Sequence, residues 1–177
     1  MVGKYTVKLK FAFCLQVLSL IALSTSQQSL AQEQLTLFLV RHAEKVDQSQ
    51  ESALTELGEL RARAIAEILE SEPVNHIYST PFNRTMLTAK PAADFHQLTV
   101  TEYDGNTLQE FAEQLRQLEG VALIVGHSNT TPILVNHLVG TDFLSLDESI
   151  YDRVYVVTID SEGIARLEMR FTVPRTR

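Results

Sequence analysis

Two short runs constrain this chain more than any other feature of it. LTLFLV at 35–40 and VALIVGH at 121–127 are apolar at successive positions instead of alternate ones. Runs of that length are short for a globular helix, so each reads as a strand buried on both faces. Such a strand needs a layer of structure on either side. The segments around the two runs supply it, because they change from strand to helical period.

Leu54, Leu57, Leu60, Ala64, Ile65 and Ile68-Leu69 recur at helical spacing, with Thr55 placed as an N-cap. HIYST at 76–80 reads as a short strand. Arg84 to Asp94 reads as helix interrupted by Pro91, where a kink or a new start is expected. LTVTEY at 98–103 alternates like a strand, and Asp104-Gly105-Asn106 turns the chain. Thr107 and Glu110 have capping-box spacing and open a helix to about Leu118. Thr131-Pro132 starts another helix with proline at its first position, and Gly140 ends it. RVYVVTI at 153–159 and IARLEMRFTV at 164–173 flank Asp160-Ser161-Glu162-Gly163, the pattern of a hairpin. Strand then helix, four times over and followed by a hairpin, predicts a three-layer α/β/α sandwich. Its central sheet is mostly parallel and ends in the C-terminal β-hairpin.

The first 31 residues stand apart from that pattern. Lys4, Lys8 and Lys10 precede the mostly apolar FAFCLQVLSLIAL at 11–23, and Ser29-Leu30-Ala31 puts small residues where a signal peptidase inspects the chain. Residues 1–31 therefore read as a secretory signal peptide, the alternative being an uncleaved anchor, for which the apolar stretch is short. The expectation is a periplasmic or secreted protein of one domain, residues 32–177, with no stable membrane insertion after signal removal. That segment carries all 22 acidic residues and 12 of the 15 basic ones, a formal charge of −10, which argues against a nucleic-acid or anionic-membrane partner. It does not argue against a small anion, because a local pair of arginines dominates the field inside a cleft. Cys14 is the one cysteine and would leave with the signal, so disulfides have no expected part.

In open α/β sheets the ligand crevice lies beyond the carboxyl ends of the strands. Arg41 and His42 end the first strand; Ser79 and Thr80 end the second, with Arg84 just beyond; His127 ends the fourth, before Ser128 and Asn129. Two arginines and two histidines thus collect at one edge of the sheet. A neutral imidazole can attack phosphorus and divide a slow hydrolysis into two easier steps. Guanidinium groups match phosphate bidentately and can hold the three nonbridging oxygens through transfer. Backbone amides at the start of the following helix would add to an anion site. Two histidines beside two arginines make a poor cation site, so no metal is expected.

LVRHAEK at 39–45, STPFNRTMLTAKP at 79–91 and LIVGHSN at 123–129 together resemble the histidine phosphatases, the phosphoglycerate mutase-like superfamily. The likeness extends in order and spacing over nearly all of residues 32–177. It implies His42 as the phosphorylated nucleophile, Arg41 and Arg84 as phosphate clamps, and His127 as the second histidine of the phosphate pocket. It implies no metal or other cofactor and a small phosphorylated substrate. Small members of this branch resemble phosphohistidine phosphatases and broad-specificity phosphomonoesterases.

Many members of that family carry a glutamate after the third strand as general acid. Here Leu108-Gln109-Glu110 matches only the first half of that motif and lacks its glycine. Asp104, Glu110 and Glu102 are the candidates, although a turn suits Asp104 and a cap suits Glu110. Asn129, Asp104 and Thr80 are the candidate substrate contacts; Ser79 and Thr80 could equally cap the next turn. Glu44 is a candidate to orient Arg84 or another member of the set, and Lys45 stands at the rim. Tyr103, Tyr151 and Tyr155 read as sheet packing, and His76, His96 and His137 as ordinary. A leaving group that needs little protonation, such as an imidazole or an aryl alcohol, would suit a site with no well-placed acid. The expected function is metal-independent hydrolysis of small phosphate esters through His42. The alternatives are a phosphohistidine phosphatase, an envelope-sugar phosphatase, or a phosphate-binding protein with weak turnover.

Overall fold

The structure is a computed structural model that describes residues 34–176; the proposed signal segment lies outside the described residues. Six strands and four helices follow in the order β1 (Leu35–Arg41), α1 (Glu56–Leu69), β2 (Val74–Ser79), α2 (Asn83–His96), β3 (Val100–Glu102), α3 (Leu108–Leu115), β4 (Val121–Gly126), α4 (Thr130–Val139), β5 (Arg153–Ile159) and β6 (Ala165–Phe171). They form one sheet in the order β3-β2-β4-β1-β5-β6. The first four strands in that order run parallel, while β5 pairs antiparallel with β1 and β6 antiparallel with β5. This is the expected three-layer fold with its C-terminal hairpin.

The two apolar runs lie side by side at the centre, and the alternation of their side chains divides the core in two. Leu37, Leu39, Ala122 and Ile124 pack against Phe111 and Leu115 of α3 and Leu134 and Leu138 of α4. Phe38, Val40, Leu123 and Val125 face the other way, toward Ile65 and Leu69 of α1 and Ala89, Ala92 and Ala93 of α2. Parallel register pairs Arg41 with Gly126, so the residues that follow, His42 and His127, leave the sheet at the same edge.

Several local expectations need correction. The second helix does not restart at Pro91 but continues through it from Asn83 to His96. Proline removes one intrahelical donor there, and the burial of Ala89, Ala92 and Ala93 on the sheet holds the helix together across the gap. The alternating run at 98–103 yields only three paired residues, because β3 is an edge strand with a partner on one side alone. No capping box forms at Thr107, whose hydroxyl instead donates to the Asp104 carbonyl, and α3 stops at Leu115. Pro132 is the third residue of α4, still within the turn whose N–H groups have no intrahelical acceptor. Thr55 caps α1 as expected, accepting from Gly58 N at 3.0 Å. Gly140 takes the left-handed conformation that ends α4.

Candidate active site

His42 leaves β1 with its backbone N–H still donating to Gly126 O at 2.9 Å. Its side chain is almost wholly buried, and Nδ1 lies 2.8 Å from the Ala43 carbonyl. A carbonyl can only accept, so Nδ1 carries the hydrogen and Nε2 the lone pair. Burial pushes the imidazole down to about 3; the Ala43 hydrogen bond opposes that shift, and the charges of Arg41, His127 and Arg84 add to it. His42 is therefore a neutral imidazole with an available Nε2 at physiological pH.

Arg41 is 1% exposed, and its guanidinium is divided between two kinds of partner. Nη1 donates to the carbonyls of Asp147, Glu148 and Ile150 at 3.1, 3.1 and 2.9 Å. Nη2 donates to Glu148 Oε2 at 2.8 Å, and the group lies 3.9 Å over the Tyr151 ring. Nε is buried with no partner, and Arg84 Nε is in the same condition. Buried guanidinium donors left without a partner are a costly arrangement unless an acceptor arrives. Oxygens of an anion are the acceptors such donors would take.

The rings of His127 and His42 meet edge to face, 5.5 Å between centroids. His127 Nδ1 accepts from Arg84 Nη2 at 3.5 Å, which leaves Nε2–H to donate to Thr80 Oγ1 at 2.9 Å. The Thr80 hydroxyl passes on to Thr85 Oγ1 at 3.1 Å, and Thr85 donates to the Thr80 carbonyl at 2.8 Å. This chain sets the tautomer and tilt of His127. Burial pushes His127 down to about 4, helped by the charges of Arg84, Lys45 and Arg41. Arg84 stands in the first turn of α2, over the Phe82 ring at 4.4 Å, and its charge is disfavoured by burial and by Arg41. Thr88 ties this helix to the loop after β1, accepting from Ala43 N at 2.9 Å and donating to Arg84 O at 2.7 Å.

A cleft of about 690 Å³ opens beside the histidines, lined among others by Phe82, Arg84, Tyr103, His127, Glu102, Asp104 and Asn129. His42 and Arg41 are not on its wall. The structure thus brings Arg41, His42, Arg84 and His127 together and sets Asn129 and Asp104 along the adjoining cleft. Asp104 Oδ1 is engaged by Asn106 N and Nδ2 at 2.9 and 2.8 Å, the turn role weighed from the sequence. Thr80 touches the cleft, but its hydroxyl serves His127. Glu110 is not among the residues lining the cleft. Glu44 does not orient Arg84: it pairs with Arg61, whose Nε lies 3.0 and 2.8 Å from the two carboxylate oxygens. Tyr151 is not sheet packing, since it underlies Arg41 and meets the His42 ring at 6.1 Å. Tyr155 and Tyr103 are buried as expected, with Tyr103 also on the cleft wall.

Sequence reasoning missed Glu148, Phe82 and Thr88. Phe82 and Thr88 lie inside the second motif block, and their closeness to Arg84 was a usable signal. Glu148 had none, because it comes from the irregular stretch between Gly140 and β5. Among the described residues, no three histidine, cysteine, aspartate or glutamate side chains converge as metal ligands.

Residues 37–112 match the family model of the histidine phosphatase superfamily (branch 1), a span that includes Arg41, His42 and Arg84. A search of the curated proteins by sequence gave no match. Among solved structures, the protein histidine phosphatase SixA complexed with tungstate is 18% identical, with a TM-score of 0.63, covering 77% of this chain and 96% of that one. Phosphoglycerate mutase from Plasmodium falciparum is 16% identical, with a TM-score of 0.57 and coverage of 77% and 89%. The mycobacterial glucosyl-3-phosphoglycerate phosphatase is 16% identical, with a TM-score of 0.57 and coverage of 76% and 97%. At these identities the structures show a shared fold. His127 lies beyond the matched span and reaches the site through the parallel register of β1 and β4. Motif residues, fold and the family model matched over residues 37–112 all point to the histidine phosphatase superfamily, which this stretch of the chain resembles.

Proposed function

We propose that this protein is a phosphomonoesterase that transfers the phosphoryl group of a small phosphate ester to His42 and then to water, without a metal. The observation that carries this reading is the juxtaposition of a neutral His42, its Nε2 unprotonated, with a buried Arg41 and a half-buried Arg84 whose Nε atoms are both buried without a partner. In the first step Nε2 attacks phosphorus in line as the bond to the leaving oxygen breaks. Arg41 and Arg84 stabilise the charge on the three nonbridging oxygens. A bound phosphate dianion also opposes the burial and the cationic neighbours that keep His127 neutral, and so favours a protonated His127 at its side. In the second step water attacks the phosphorus of phosphohistidine and the P–N bond breaks, returning the neutral imidazole.

Glu102 and Asp104 are the carboxyl groups on the cleft wall that could protonate a leaving alkoxide. Neither is held against His42, which favours leaving groups that need little protonation, aryl alcohols and phosphohistidine among them. Asn129, Asp104 and the Phe82 and Tyr103 rings would contact the leaving group. The proposed setting is periplasmic or secreted, on the strength of residues 1–31 alone; no helix among the described residues is long and apolar enough to cross a membrane.

The test is hydrolysis of p-nitrophenyl phosphate by the purified protein, with and without EDTA, beside His42→Ala. Turnover that survives EDTA and disappears in the variant is expected. A folded protein that binds phosphate but shows no turnover of this or other phosphomonoesters would leave only a phosphate-binding role.

A further inference from the structure

The two ends of the Arg41 guanidinium are not equivalent. Nη1 is saturated by three carbonyls of the 147–150 strap, which anchors that segment over the site. Nε and Nη2 form the other edge, the fork that takes two oxygens of one anion. Nε is buried without a partner, and Nη2 is held by Glu148 Oε2 at 2.8 Å. The other Glu148 oxygen accepts from Ser128 Oγ at 2.7 Å, just past His127. We propose that Glu148 is an internal competitor for the phosphate site: its carboxylate occupies half of the Arg41 fork, substrate displaces it, and its return helps expel the phosphate product. This inference rests on the reading of the arginine-histidine pocket as a phosphate site.

The surroundings suit that exchange. Glu148 is 70% exposed while Arg41 is 1% exposed, so the carboxylate can swing into water while the arginine stays. The strap need not move, because its backbone carbonyls hold Nη1 independently of the Glu148 side chain. Hydrogen bonding from Ser128 and the charge of Arg41 keep Glu148 ionised, the form that competes with an anion. A carboxylate satisfies one donor of the fork and leaves Nε orphaned; phosphate satisfies both. The carboxylate therefore weakens phosphate binding without preventing it. Both substrate and product bear the same penalty, and the one that must leave after each turnover is inorganic phosphate.

Glu148→Gln keeps the shape and removes the charge; Glu148→Ala removes the contact. The measurement is the inhibition constant of inorganic phosphate against p-nitrophenyl phosphate near neutral pH, with direct calorimetric titration of phosphate and circular dichroism to confirm the fold. Both variants are expected to bind phosphate about threefold to tenfold more tightly than the parent, the scale of a charge-assisted contact with one exposed partner. Unchanged or weaker phosphate binding in both variants, with the parent binding normally, overturns the competitor role and leaves the phosphatase reading standing. A fall in kcat/KM with no tightening of phosphate would make Glu148 a proton carrier or a tether instead. If the parent neither binds phosphate nor turns over ester, the site reading falls and this inference falls with it.

Discussion

The Nδ1–H of His42 donates to the carbonyl of the next residue, Ala43, across 2.8 Å, and this one bond decides which ring nitrogen can act. It turns Nε2 into the free lone pair, while burial keeps the ring neutral. Nitrogen-15 NMR should find His42 as the Nδ1–H tautomer and unprotonated at pH 5, where a free histidine is mostly charged. An imidazolium signal for His42 at that pH would contradict this account.

Stability against acid follows from the same two histidines. Their folded values, about 3 for His42 and about 4 for His127, lie below the ordinary 6.5 of the unfolded chain. Between those values and 6.5 the unfolded state binds more protons, so the contribution is complete above pH 6.5 and lost as pH falls through that window. The melting temperature should therefore drop from pH 7 to pH 4, and the drop should be shallower in a His42→Asn, His127→Gln double variant. An equally steep drop in the double variant would assign acid sensitivity to other groups.

Thr80 acts through His127. Thr80→Val removes the acceptor for His127 Nε2–H and should lower kcat/KM by roughly fivefold to tenfold, the effect of one hydrogen bond of about 1 kcal/mol. Thr80→Ser should restore most of it, with the pH profile returning to that of the parent. A valine variant with parental kinetics would show that the bond does not orient the ring.

Arg84 provides a planar fork, which lysine lacks. Arg84→Lys should cost about a hundredfold or more in kcat/KM, as loss of an oxyanion donor does, while the melting temperature changes little. A lysine enzyme close to the parent would mean that charge alone suffices.

Two contacts behind the site bear on folding. A Cβ on Gly58 would lie 2.2 Å from the Glu44 carbonyl oxygen, so Gly58→Ala should destabilise by about 1–3 kcal/mol or more. Arg61 is fully buried against a 13% exposed Glu44, so Arg61→Ala should cost about 3–5 kcal/mol in denaturant unfolding, leaving a buried carboxylate unpaired. Near-parental stability in both variants would show that the loop after β1 is not braced in this way.

The framework was legible because the apolar runs at 35–40 and 121–127 could only be central strands, and parallel pairing then forces Arg41-His42 and His127 to one edge. The second motif block placed Arg84 with them. What the sequence hid were contacts set by tertiary geometry. Pro91 looked like a break because local propensity favours one there, and burial of the flanking alanines overrode it. The Thr107-Glu110 spacing suggested a capping box, yet the Asp104 turn set the backbone differently. Glu44 was only a candidate to orient Arg84 or another member of the set, and its actual partner, Arg61 in the middle of α1, carried no motif signal. Glu148 reaches Arg41 from a segment without periodicity, so no spacing rule could have paired residues 107 positions apart.

The most direct test of the central claim is a rapid quench of the protein with p-nitrophenyl phosphate, followed by peptide mapping of any phosphoryl group under alkaline conditions that preserve phosphohistidine. The account predicts an acid-labile, base-stable phosphoryl group on the peptide containing His42, formed within the first turnover and absent in His42→Ala. Turnover with the phosphoryl group on another residue, or persisting in His42→Ala, would contradict it.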